Sequence, residues 1–76
     1  MGNVFDYGKL RGRIVEKYGS ISKFGEQLDI SRTSLDLKLN NKVDISRSEI
    51  ITWSNLLEIE PTEYSAYFFT EKLNSV

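Results

Sequence analysis

Residues Ser20 to Asn41 read SISKFGEQLDISRTSLDLKLNN, and the rest of the chain is interpreted around this stretch. Ser20 and Ser31 each precede an apolar pattern with helical spacing, and serine is a favoured N-cap because its hydroxyl accepts a hydrogen bond from a first-turn backbone N–H. Ile21, Phe24 and Leu28 fall on one face of a two-turn helix, and Leu35 and Leu39 sit at i and i+4 of a second. Asn40-Asn41 marks the end of that second helix. The link through Ile30 is so short that the two helices turn sharply on each other, the arrangement that presents a second helix to the DNA major groove. Gly25 sits mid-helix, where it costs about 1 kcal/mol relative to alanine, so it points to close approach of the two helices. Asp29 stands where the turn requires a left-handed backbone, which aspartate visits more readily than most residues.

Outward from this motif the chain reads as helices throughout. Leu10, Ile14 and Tyr18 give an upstream helix that begins near Tyr7 and ends at Gly19, preceded by a short tail from Met1 to Asp6. Downstream, Ser46 and Glu49 make a capping box, and Ile45 with Ile50 fits a hydrophobic staple, so a helix is expected from about Arg47 to Leu57. Ile50, Trp53, Leu56 and Leu57 form its apolar stripe. Pro61 is compatible with the start of a short fifth helix through Tyr64, Tyr67 and Phe68. No alternation supports a strand. The expected fold is all-α, a compact bundle of four to five short helices in one domain over residues 1–76, with the motif at about 20–41 and C-terminal helices over about 46–69.

A chain of 76 residues closes only one core, and its stability margin is thin. It contains no cysteine and no histidine, which removes disulfides and the commonest metal and acid–base chemistries. Nothing groups the acids, serines and lysines into a nucleophile with its base. The expectation is therefore a non-enzyme with no cofactor and no small-molecule substrate. The sequence shows neither a secretory leader pattern nor an apolar run of the ~20 residues that span a bilayer. That points to a soluble, non-secreted protein with no membrane partner.

The net charge of −1 argues weakly against nucleic acid. Its distribution argues the other way. From Gly8 to Arg47 the basic residues Lys9, Arg11, Arg13, Lys17, Lys23, Arg32, Lys38, Lys42 and Arg47 outnumber Glu16, Glu26, Asp29, Asp36 and Asp44, whereas from Ser48 onward the acids dominate. A chain polarised in this way can present one basic face.

The 20–41 segment resembles the helix-turn-helix of the lambda-type Cro and CI repressors, the XRE-like group. The ordered pattern YGKLRGRI, ISRTSLDLKLNNK, SEI and YFF is similar to small Cro-like proteins encoded by phages of Gram-positive bacteria. The resemblance implies a lambda repressor-like bundle and a sequence-specific repressor in the bacterial cytoplasm, acting on double-stranded operator DNA as a homodimer. There are departures from the group's pattern. Its usual opening glutamine is Ile21 here, its turn glycine is Asp29, and its late buried aliphatic is matched by Lys38 with Leu39 one residue on.

With Leu35 and Leu39 buried, Thr33 and Leu37 point most nearly outward, Ser34 and Asp36 flank them, and Arg32 lies at the helix tip. Arginine grips guanine bidentately, threonine reaches base edges and leucine meets only a thymine methyl. Arg32, Thr33, Ser34 and Leu37 are the candidate base contacts. Ser22, Lys23, Lys38, Asn41 and Lys42, near the ends of the motif, are the candidate phosphate contacts. The plainer alternative for each is a solvated surface residue, and Leu37 could equally pack on another element. For Arg11 and Arg13 a solvated face is the favoured explanation. Trp53 reads as core, and Tyr67, Phe68 and Phe69 are candidates for a dimer contact because five short helices hardly bury so many aromatics. A second function class keeps this fold but makes the chain a protein-interaction module, an antirepressor or modulator of another phage repressor. The acidic C-terminal half and the exposed Leu37 leave room for it.

Overall fold

The computed structural model describes residues 4–71 and is all-helical over that span apart from one isolated β-bridge. Five helices follow in order: α1 (Gly8–Tyr18), α2 (Ile21–Leu28), α3 (Arg32–Leu39), α4 (Arg47–Leu57) and α5 (Tyr64–Phe68), the last preceded by a 3-10 turn at Pro61–Glu63. The four-to-five-helix bundle read from the sequence is the fold observed.

Local chemistry accounts for most boundaries. Gly19, with φ of 90°, ends α1 and returns its N–H to the carbonyl of Val15. The hydroxyls of Ser20, Ser31 and Ser46 accept from the backbone N–H groups of Lys23, Ser34 and Glu49. Each thereby satisfies a donor that the helix start leaves without a partner. At Ser46 the box is reciprocal, because Glu49 accepts from the Ser46 N–H at 2.9 Å. Asp29 ends α2 in the left-handed region with φ of 58°. A Cβ on Gly25 would lie 3.4 Å from both the Ile30 carbonyl oxygen and a Leu35 methyl, which is the close approach expected there. α4 ends on Glu58, left-handed at φ of 57° without being glycine.

The apolar faces meet in one core. Leu10 and Ile14 of α1, Phe24 of α2, Leu35 and Leu39 of α3, Trp53 and Leu57 of α4, and Phe68 of α5 are buried together. Trp53 sits at the centre, edge-on to Phe24 at 5.5 Å and 6.4 Å from Phe68, in the offset geometry aromatic rings prefer. Tyr67 is also buried, with the Lys9 ammonium 4.7 Å from its ring centroid.

The segment before α1 differs from the short tail expected. The Asn41 side chain accepts from the Phe5 N–H at 2.9 Å and donates to the Phe5 carbonyl at 2.8 Å, a two-point hold on the backbone of one residue. The Asp6 N–H donates to Thr70, and Phe5 bridges to Glu71. Val4–Asp6 therefore lies strapped between the end of α3 and the residues after α5. The remainder of the expected tail, 1–3, falls outside the described residues.

Candidate functional site

Leu35 and Leu39 face inward, and that settles the orientation of α3. Arg32, Thr33, Ser34 and Leu37 are all exposed on its outer side. They differ in how free they are. The Arg32 guanidinium donates to Asp36 at 2.8 Å and to the Ser22 hydroxyl at 2.6 Å, tying the start of α3 to the first turn of α2. Ser34 takes part in the Ser31 cap through both its N–H and its hydroxyl. Thr33 makes no side-chain hydrogen bond among the described residues, and Leu37 is 40% exposed.

The candidate phosphate contacts also divide. Lys38 pairs with Glu49 at 3.1 Å with only 16% of its side chain exposed, so it joins α3 to α4. Asn41 holds Phe5 with both polar atoms, and Ser22 accepts from Arg32. Lys23 and Lys42 stand exposed with no ion pair or side-chain hydrogen bond among the described residues. Among the candidate phosphate contacts, these two keep a free positive charge for an external ligand.

The same accounting changes the meaning of the polarised charge. Arg11 donates to the Leu39 carbonyl and to Asn40 at the end of α3. Arg13 donates to the Leu57 and Glu58 carbonyls at the end of α4 at 2.8 and 3.1 Å. The guanidiniums thus satisfy carbonyls that a helix C-terminus leaves open, where positive charge also complements the helix dipole. Lys17 reaches the Glu58 carboxylate at 2.6 Å. Lys9, Arg32 and Lys38 have intramolecular partners as well, which leaves Lys23, Lys42 and Arg47 as the basic residues of Gly8–Arg47 without one among the described residues. Neither arginine of α1 is the plainly solvated residue expected, because each meets a helix end distant in sequence.

Beside α3 lies an apolar depression. Ile30, Leu37 and Val43 line a cleft of about 320 Å³ with Ser34 and the Lys38–Glu49 pair. A second cleft of about 250 Å³ adjoins it through Ile30 and Glu49 and reaches Leu28 and Trp53. Val43 is 44% exposed. Val43 was not among the candidate residues, although an apolar residue between Lys42 and Asp44 in a loop is itself a signal. Glu49 sits between the clefts. Burial acts to raise its pKa, but hydrogen bonds from Ser46 and the ammonium of Lys38 outweigh it and hold the carboxyl below its ordinary range. The arrangement offers apolar anchoring with a fixed ion pair beneath it, suited to a protein surface.

The aromatic cluster proposed for dimer contact needs correction. Tyr67 and Phe68 are buried in the chain's own core, where they close α5 over α1 and α4, and only Phe69, 49% exposed, is left to meet another molecule. No helix of the described residues is long and apolar enough to cross a membrane.

Comparison with known proteins gives a family and a solved structure to which the chain is similar. The family model described as "Protein of unknown function (DUF739)" matches residues 3–71. Among solved structures, the chain is similar to the solution structure of the modulator of repression of the temperate bacteriophage TP901-1 from Lactococcus lactis. That similarity has a TM-score of 0.79 at 36% identity and covers 92% of this chain and 95% of the other. The family model that matches is not one of Cro or CI repressors. No curated protein matches the chain.

Proposed function

We propose, on the premise that the chain belongs to the family described as protein of unknown function (DUF739), that it is a phage regulatory protein that controls a transcriptional repressor by binding it. The observation that carries this reading is the outer side of α3, where Leu37 and Val43 open an apolar cleft while both cations of the helix itself, Arg32 and Lys38, are paired within the molecule. A phosphate-binding face calls for free lysines and arginines, since neutralising phosphates and releasing their counterions supplies most of the affinity for DNA. A protein partner instead rewards apolar anchors in a partly preformed depression. The solved relative is titled a modulator of repression, and the shared fold and sequence identity support carrying that class of role to this chain. No cofactor or catalysis enters this proposal.

The test is size-exclusion chromatography and calorimetry of the purified chain mixed with the repressor encoded in the same phage or prophage. A stoichiometric complex is expected, and Leu37→Asp should weaken it about a hundredfold without lowering the melting temperature by more than a few degrees. Absence of any complex sinks the reading.

Direct operator recognition is the second reading, favoured by the shared outward exposure of Arg32, Thr33, Ser34 and Leu37 on one helix. In that reading Lys23 and Lys42 hold phosphates and a homodimer spans two half-sites, with Phe69 its available aromatic contact. Fluorescence anisotropy of the chain alone on phage operator duplexes separates the two. Specific, salt-sensitive binding lost in Arg32→Ala and Thr33→Ala supports this second reading, and equal weak binding to all duplexes discards it.

A further inference from the structure

Apart from the depression beside α3, a cleft of about 330 Å³ is lined by the aromatic rings of Phe5, Tyr7, Phe68 and Phe69 together with Asp44, Ile45 and Ile50. Aromatic rings make most of its wall. Phe5 meets Phe69 edge-on at 5.9 Å and Tyr7 at 6.1 Å. The wall is preformed, because Asn41 grips the Phe5 backbone and Asp6 is bonded to Thr70.

Asp44 is the single charged residue lining this cleft. It is exposed and makes no ion pair or side-chain hydrogen bond among the described residues. The nearest basic residues along the chain, Lys42 and Arg47, line no part of it. Burial raises the pKa of the Tyr7 hydroxyl, and the Asp44 carboxylate raises it further, so the negative charge is felt at the aromatic wall.

We propose that this cleft receives a basic side chain of a partner protein, an arginine before a lysine. Aromatic faces attract a cation through their quadrupole, and the attraction grows as the cation leaves water. Guanidinium suits the site better than ammonium, because its plane stacks on a ring while its N–H fork meets the carboxylate. An anion is repelled by Asp44, so phosphate and DNA are excluded as occupants. On the reading of the preceding subsection, the partner is a repressor, which must itself display basic residues to hold operator phosphates. A cleft that covers one of those residues competes with DNA for it.

The test titrates the full isotope-labelled chain with N-acetylarginine amide and, in parallel, N-acetylnorleucine amide, followed by NMR. Saturable shifts at Phe5, Tyr7, Asp44 and Phe69 are expected for the arginine probe only, with about tenfold weaker binding in Asp44→Asn. Equal shifts by the two probes, or no change in Asp44→Asn, overturns the proposal. So do concentration-dependent shifts of the same residues without a probe, which would place a second copy in the cleft. A second arm measures repressor affinity of Asp44→Lys, expected to fall at least about tenfold. Unchanged affinity there overturns the cleft and leaves the modulator reading standing. If the wild-type chain binds no repressor, that reading fails, and the arginine titration decides the cleft alone.

Discussion

Arg11 and Arg13 on α1 direct their guanidiniums at the carbonyl ends of α3 and α4, whereas Thr33, Leu37 and the exposed Arg32 line the outer side of α3. Both helices carry basic residues along the sequence, Lys9, Arg11, Arg13 and Lys17 on α1 and Arg32 and Lys38 on α3. They differ in what the fold does with them. The basic side of α1 is consumed in holding helices together, and the outer side of α3 remains for other molecules. A run of positive charge in a sequence therefore does not measure positive charge available at a surface, because a helix end within reach competes for it with any external phosphate.

Replacing Leu37 by aspartate breaks the comparison most forcefully on the α3 side. Repressor binding should weaken about a hundredfold, the loss of roughly 3 kcal/mol typical of a strong interface anchor, while the thermal midpoint moves only slightly. Calorimetric titration checks the first part and a thermal melt the second. If binding survives, α3 is not the interaction face.

On the α1 side the matching substitution is Arg13→Ala. It strips the charged donors from the Leu57 and Glu58 carbonyls and should destabilise the fold by about 2 kcal/mol, lowering the melting temperature by roughly 10 °C. Little change in the circular-dichroism melt would show that solvent caps α4 equally well.

Glu49 lies where the two kinds of use meet, since it closes the α4 capping box and pairs with Lys38 of α3. Its folded carboxyl is held below the ordinary value of 4.5 despite the opposing effect of burial. The stability this provides is fully present above about pH 4.5 and is lost as pH falls through the lower folded value. Melts from about pH 6 to about pH 3 should thus show a steeper decline for the wild type than for Glu49→Gln. Parallel declines would remove Glu49 from the account.

A smaller effect is expected within α4. The Ser54 hydroxyl is fully buried and finds no hydrogen-bond partner among the described residues, so Ser54→Ala should stabilise the chain by about 1 kcal/mol, read as a rise in the urea midpoint. Arg32→Ala should have the least effect on stability, under about 0.5 kcal/mol, because its ion pair with Asp36 and its hydrogen bond to Ser22 are both exposed. A large drop in the melt for that variant would show that the α3 tip is structural like α1, erasing the distinction between the two regions.

Much of this was legible from residue order. Ser20, Ser31 and Ser46 act within three residues of themselves, Gly19 and Asp29 turn the backbone where they stand, and Leu35 with Leu39 orient α3 by helical period alone. The outward set on α3 followed from that orientation. Less legible were Asn41 and Lys38, which looked like phosphate ligands because they end the motif, yet reach Phe5 and Glu49. Tyr67 and Phe68 looked surplus to a small core, but the short α5 turns both inward against α1 and α4.

Hydrogen bonds closed within one helical turn depend on residue type and spacing, so the caps, the turn and the periodic faces were determined by the sequence itself. Partners 28 to 45 residues apart, such as Arg11 with Leu39 and Arg13 with Glu58, were decided only when packing of the apolar faces brought helix ends beside side chains. A long flexible cation carries no local mark of the carbonyl it will meet. Which charges stay free for a partner is thus a property of the assembled bundle.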